Sequence, residues 1–238
     1  MSAARRASDW TTLIGLWVGL LGVVLVLIGS YIGLFVAPPD RHMGDVQRML
    51  YVHVPTAKNS LLIFFFAFCF AIANLWTGKK RWNDYMVGSV EVGVVLNVLL
   101  LIQGMLWARP TWGIWWTWGD VRLVFSFLML LLFAGVLALR SLVEDPIRRA
   151  TWTSVATIIA FVDVPIMYFC VRWWRSLHQV QSSPATVDAA MVLPMRINLF
   201  AILFIGLWMI AQRAELERRR RLADDVAAPA RVLLHEEF

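Results

Sequence analysis

The chain has 238 residues, 60% of them apolar and only 16% charged, with a mean hydropathy of +0.67. An ordinary soluble domain is roughly half apolar and a quarter charged, so this composition excludes one and predicts an all-α integral membrane protein that crosses the bilayer several times. The 22 Lys and Arg exceed the 16 Asp and Glu, an excess that reports topology in such a chain and is poor evidence for a nucleic-acid partner.

In chain order, the first apolar run covers 13–37. It follows Arg5 and Arg6 as a secretory leader would, but it is too long and no small-residue cleavage pattern precedes Pro38, so it is read as a retained helix. Further runs cover 56–77, 85–107, 123–143, 151–172 and 189–211. Each can cross about 30 Å of hydrocarbon at about 1.5 Å per residue, and each is expected to be helical because an open strand in lipid leaves amides unpaired. The expected architecture is a six-transmembrane-helix bundle over 1–211, followed by a tail over 212–238. In that tail "RAELERRRRLADD" mixes signs at helical spacing, as a solvated or headgroup-binding helix does.

Arg5 and Arg6, Lys79 to Arg81, Arg140, Arg148 and Arg149, and the six arginines from Arg213 to Arg231 share one side of this arrangement, 14 of the 22 basic residues. The positive-inside rule then puts both termini in the cytoplasm. Loops 38–55, 108–122 and 173–188 fall together on the outer, periplasmic face.

Two of the four histidines stand in those outer loops next to a helix end. "LYVHVPTA" puts His53 just before Pro55, which suits a first helical turn and holds the preceding backbone extended. "RWWRSLHQVQSSP" puts His178 a few residues beyond the fifth span, after Trp173 and Trp174. Between them lies "TWGIWWTWGD". Scattered interfacial tryptophans such as Trp10, Trp76 and Trp208 need no special account, but Trp112, Trp115, Trp116 and Trp118 are denser. Their spacing would gather them on one broad face of a short helix. Arg109, Asp120 and Arg122 flank the cluster, offering guanidinium forks for carboxylates and an acid to orient one of them. Two imidazoles, an aromatic shelf and arginines complement a planar macrocycle with a central metal and a carboxylate rim, which is haem. A zinc site fits less well, since it would want three or four close ligands. An aromatic belt that merely seals the bundle is the alternative.

The two cysteines, Cys69 and Cys170, lie inside spans without a C-x-x-C motif, so the chain is expected to be neither a thiol redox carrier nor a c-type cytochrome. No phosphate-binding G-x-x-x-x-G-K-[ST] occurs, and an ATP-driven step needs a partner. Inside the spans, Glu91, Asn97 and Gln103 are spaced by about 240° around a helix and form no single stripe. Asp163 precedes Pro165, which disrupts local backbone pairing. Helix packing or contact with partner subunits is the expected use of these polar groups.

"WGIWWTWGDVRL" resembles the tryptophan-rich signature of the WWD superfamily of haem-handling proteins, and "LYVHVPTAKNS" with "RWWRSLHQ" narrows the resemblance to the cytochrome c maturation protein C (CcmC) family over nearly the whole chain. That resemblance implies a subunit of the bacterial inner membrane that holds haem b at the periplasmic face and hands it to the periplasmic chaperone CcmE. Its implied partners are the CcmA, CcmB and CcmD subunits of an ABC-type complex. It also implies that His53 and His178 are axial iron ligands, that Arg48 and Arg122 meet the propionates, and that Asp120 is the motif acid. No general acid–base pair is evident, so a transfer subunit rather than an enzyme is expected. In one departure Gly119 separates Trp118 from Asp120, while the D-x-R spacing of Asp120 and Arg122 survives; in another, Val124 stands where a small hydroxyl residue is usual. The rival readings are a cytochrome c haem lyase or synthase of the same superfamily, which would be longer, and a structural bundle.

Overall fold

A computed structural model describes the backbone of residues 3–178 and 188–235, and the side chains of 13–178 and 188–223. Part of the expected outer loop, 179–187, and the side chains of most of the tail lie outside the described residues. The α-helices are α1 (Ala3–Tyr31), α2 (Leu50–Thr77), α3 (Lys80–Trp112), α4 (Val121–Leu142), α5 (Pro146–Phe161), α6 (Asp163–Trp173) and α7 (Ala189–His235). Six helical stretches are long and apolar enough to cross a membrane, with α5 and α6 forming one of them. The molecule is a six-span helical membrane bundle, as its composition predicts.

α2 and α3 form an antiparallel pair around Gly78, whose left-handed φ of 62° lets its N–H close on the Asn74 carbonyl at 2.9 Å. Their seam repeats after eleven residues, about three helical turns. Phe64 lies against Gly93, where a Cβ would meet the ring at 2.5 Å, and eleven residues earlier His53 lies against Gly104. Eleven residues are about three turns, so His53 and Phe64 share one face of α2. Phe64 also stacks on Phe133 of α4 at 3.7 Å. Around that pair Leu100, Met129, Ala160, Val164 and Met167 complete the principal core. α1 packs mainly on α7, and the approach is close: a Cβ at Gly22 would sit 2.9 Å from the Ala201 carbonyl.

α2 begins earlier than its proline suggests. A 3₁₀ turn, Asp45–Met49, leads directly into the helix at Leu50, so His53 sits in the first turn of α2 rather than in an extended loop before it. Pro55 is therefore inside the helix. It has no N–H to offer the carbonyl four residues back. That carbonyl, on Tyr51, instead accepts from Asn198 Nδ2 of α7 at 2.9 Å, which removes the cost of an orphaned acceptor.

The fifth span breaks at Val162, because Pro165 leaves the Phe161 carbonyl without its helical donor. Asp163 is buried at the break, and neither of its carboxyl oxygens has a hydrogen-bond partner among the described residues. Glu91 has a partner: Arg213 of α7 engages both of its oxygens. Arg140 joins Glu217 and Asn83, and Arg221 joins Asp84, so ion pairs stitch α3 and α4 to α7 at the end away from the histidines. The sixth span and the tail are one continuous helix.

Candidate functional site

α3 runs through Pro110 and stops at Trp112, where Gly113 adopts φ 76° and donates to the Arg109 carbonyl at 3.1 Å. Arg109 Nη1 closes the turn on the Gly113 carbonyl at 2.7 Å. This corrects the expectation of one helical aromatic face. Trp112 ends α3, whereas Trp115, Trp116 and Trp118 follow on a non-helical connection up to Asp120. The rings fall into two groups. Trp112 meets Trp107 edge-on at 5.2 Å and His178 edge-on at 4.9 Å. Trp116 and Trp118 pack on one another and on Phe127 of α4 instead. Trp115 is 50% exposed.

Asp120 joins two segments. Oδ1 accepts from the N–H groups of Arg122 and Leu123, each at 3.1 Å, which caps the N-terminus of α4. Oδ2 accepts from the Leu177 N–H at 2.6 Å and from Ser176 Oγ at 2.8 Å, which fastens the chain after α6. His178 completes the clasp: its N–H donates to Ser176 Oγ at 3.0 Å and its Nδ1 lies 3.3 Å from Asp120 Oδ1. Burial would raise the Asp120 pKa, but the His178, Leu177 and Ser176 hydrogen bonds outweigh it and hold the carboxyl well below its usual range. Asp120 is thus a carboxylate at neutral pH. A proton on Nδ1 of His178 is held toward it, which leaves Nε2 as the free acceptor. Gly119 lies in the turn before Asp120, its N–H on Thr117 Oγ1 at 3.2 Å, and the inserted residue leaves the capping geometry of Asp120 intact.

His53 faces the same region from α2. Gly104 provides its space, since a Cβ there would come within 3.4 Å of the imidazole Cε1. His53 lies within electrostatic range of His178 and Arg122, so the three side chains share one neighbourhood. His53 Nδ1 and Arg122 Nε are buried without hydrogen-bond partners among the described residues. Unmet polar atoms at the mouth of a bundle favour a polar ligand. Arg48 stands differently: Nη1 donates to the carbonyls of Gly33 at 2.7 Å and Ala37 at 3.0 Å, and Nε to Asp45 at 2.8 Å. It fastens the end of α1 to the turn before α2.

The structure brings His178, Asp120 and Trp112 into contact, with His53 and Arg122 in the same neighbourhood; it does not bring in Arg48, which is held by Gly33, Ala37 and Asp45, or Trp116 and Trp118, which pack on Phe127, and Trp115 is half exposed. Sequence reasoning missed Ser176, Gly104 and Trp107. Ser176 was findable as a hydroxyl two residues before a candidate ligand, while Gly104 and Trp107 carried no local signal. His42 lines with Met43, Trp107, Trp112 and Leu177 a cavity of about 310 Å³ that reaches the segment carrying His178.

The family model described as "CcmC: Heme exporter protein C" matches residues 1–227. "Heme exporter protein C" of Bradyrhizobium diazoefficiens is 32% identical over 215 residues, covering 86% of this chain and 79% of that protein. The Escherichia coli K12 protein of the same description is 30% identical over 210 residues, covering 86% and 85%. A "Putative cytochrome c biosynthesis ccmC-like mitochondrial protein" of Arabidopsis thaliana is 29% identical over 196 residues, covering 81% and 72%.

Proposed function

The chain belongs to the CcmC, heme exporter protein C, family, and from that premise we propose that it holds haem b at its histidine face and passes it to a CcmE-like chaperone. The family supports a haem-related role for this membrane protein in cytochrome c maturation. The finer reading rests on one observation: His178 is oriented by a buried carboxylate and packs edge-on against Trp112, with His53 in its field.

In this reading His53 and His178 hold the iron. Trp112 covers the macrocycle from the α3 end, and Trp115, Trp116 and Trp118 extend the apolar surround. Arg122, with a spare buried donor, meets a propionate. Arg48 contributes from the loop-1 side through whatever donor capacity its backbone contacts leave. Haem is cargo here and supplies the reactive iron and vinyl groups. The chain's residues bind it, orient it and exclude water, without a catalytic group of their own. The histidine face is periplasmic, both termini are cytoplasmic, and the membrane is the bacterial inner membrane. CcmA-, CcmB- and CcmD-like subunits complete an ABC-type complex whose nucleotide hydrolysis lies outside this chain.

Visible absorption of the detergent-purified protein loaded with haem tests the reading. A Soret band with low-spin features is expected, because two imidazoles are strong-field ligands. A high-spin spectrum, or no retained haem, would overturn it.

A further inference from the structure

At the membrane face opposite the histidines, Ser154 of α5 joins three helices. Its Oγ accepts from Asn74 Nδ2 of α2 at 2.9 Å and lies 3.4 Å from Met86 Sδ of α3. This junction fixes the depth of three chain segments. Four residues beyond Asn74 comes the left-handed Gly78, and then Lys79. Five residues before Met86, on α3, which is antiparallel to α2 and parallel to α5, is Arg81; five and six before Ser154 are Arg149 and Arg148. At about 1.5 Å per residue these offsets agree to within roughly one turn, so two basic pairs from separate segments converge on one level.

Their surroundings are those of a headgroup region. Lys79, Arg81 and Arg148 are exposed, and among the described residues none of the four pairs with a carboxylate. Arg81 lies over the Trp82 ring at 4.5 Å, which holds it near the α2–α3 turn. Of the nearby acids, Asp145 is occupied in capping α5 through the Arg148 N–H at 2.7 Å, which leaves Glu144. Trp76 is 86% exposed, Ile147 79% and Trp152 52%. These side chains flank the cations with surface suited to acyl chains. Five other arginines of this face are held by carboxylates. Arg140, Arg213 and Arg221 are committed to carboxylates, and Arg218 and Arg219 share Glu215.

The geometry points to a binding site for an anionic phospholipid, with its phosphates between Lys79 and Arg81 of the α2–α3 turn and Arg148 and Arg149 of α5, and its chains along Trp76 and Trp152. The two basic pairs favour a headgroup with two phosphates, such as cardiolipin, over one with a single phosphate. The site is independent of the haem reading, because it lies at the opposite end of the bundle and shares no residue with it.

Native mass spectrometry of the delipidated full chain, titrated with cardiolipin, phosphatidylglycerol or phosphatidylcholine, tests this. Cardiolipin adducts are expected to be the tightest, and K79Q/R81Q/R148Q/R149Q to weaken them by roughly tenfold or more while leaving phosphatidylcholine adducts unchanged. R218Q/R219Q/R220Q, which removes three positive charges from the same face, should retain cardiolipin. If the quadruple variant does not fold, K79Q/R81Q and R148Q/R149Q are measured separately and each should lose part of the preference. Inorganic phosphate should not displace the lipid. Equal cardiolipin binding by native and charge-depleted chains, or displacement by phosphate at matched concentration, overturns the proposal.

Discussion

The Asp120 carboxylate lies 3.3 Å from Nδ1 of His178 while its oxygens also cap α4 and hold the backbone at Leu177. One buried side chain therefore sets the helix start, the returning chain and the orientation of an imidazole. The carboxylate behind a metal-binding histidine raises its basicity, and loss of such a partner costs about 10- to 100-fold in metal affinity. Asp120→Asn should keep most of the cap and lower haem affinity within that range. Its low-spin spectrum should persist with a raised iron midpoint potential. Titration of haem with potentiometry checks both, and an unchanged potential would show that the carboxylate does not act on the ligand.

The same residue gives a pH dependence of known sign. The folded-state pKa of Asp120 is depressed by its hydrogen bonds, so its contribution to stability is complete above the ordinary carboxylate value of about 3.9 and is lost as pH falls through the lower folded value. The difference in thermal midpoint between native protein and Asp120→Asn should be level from about pH 5 to 8 and should shrink on further acidification. A difference that instead grew on acidification would contradict the sign.

His53 depends on a missing side chain. A Cβ at Gly104 would stand 3.4 Å from the imidazole, at the edge of ordinary contact, so Gly104→Ala should be tolerated with a small effect. Gly104→Val adds two methyls in the imidazole's space and should displace it, because overpacked cores cost about 1–3 kcal/mol or force a rearrangement. A mixed high-spin spectrum in Gly104→Val is expected, with His53→Ala and His178→Ala showing full loss of the low-spin form and His42→Ala little change. Identical spectra for native protein, His53→Ala and His178→Ala would remove both ligands from the proposal.

Much of this was legible in the sequence. The six spans follow from apolar length, and the pairing of His53 and His178 on one face follows from helix count alone. What was not legible depends on partners distant in the chain. Pro55 reads as a helix start, yet Asn198 satisfies the carbonyl it orphans and the helix begins five residues earlier. The tryptophan spacing reads as one helical face, but Gly113 ends α3 between the first ring and the rest. Glu91 reads as a helix-packing group, and its partner, Arg213, 122 residues away, is identified only when the fold brings α7 against α3. Asp120 reads as an acid that orients an arginine; its oxygens instead accept from Ser176 and the Leu177 backbone and lie 3.3 Å from Nδ1 of His178.

Orientation is open to direct measurement. With Cys69 and Cys170 replaced, single cysteines at Arg41, in the turn before α2, and at Thr77, the last residue of α2, both exposed, should differ in reaction with a membrane-impermeant reagent applied to intact cells after the outer membrane is permeabilised. Arg41 should label and Thr77 should not, because the basic clusters lie at the Thr77 end. Labelling confined to Thr77 would invert the topology.

Arginine and tryptophan should hold different parts of the same cargo, and their losses should be distinguishable. Arg122 has a buried Nε without a partner among the described residues, whereas Trp112 presents its ring to His178 at 4.9 Å. A charge-assisted hydrogen bond to a partly desolvated propionate contributes about 1.5–3 kcal/mol, so Arg122→Ala should weaken haem retention by roughly one to two decades. Arg122→Lys should recover only part, since a point charge cannot reproduce the planar fork. The haem that remains bound should stay low-spin, because both imidazoles are intact. Trp112→Ala removes apolar cover and one wall of the His178 setting, so it should weaken haem and haem dimethyl ester alike. Arg122→Ala should discriminate, losing affinity for haem while leaving the dimethyl ester nearly as well bound as in native protein. If the ratio of the two affinities is the same in Arg122→Ala as in the native chain, Arg122 does not meet a propionate, and the carboxylate edge of the macrocycle lies elsewhere on this face.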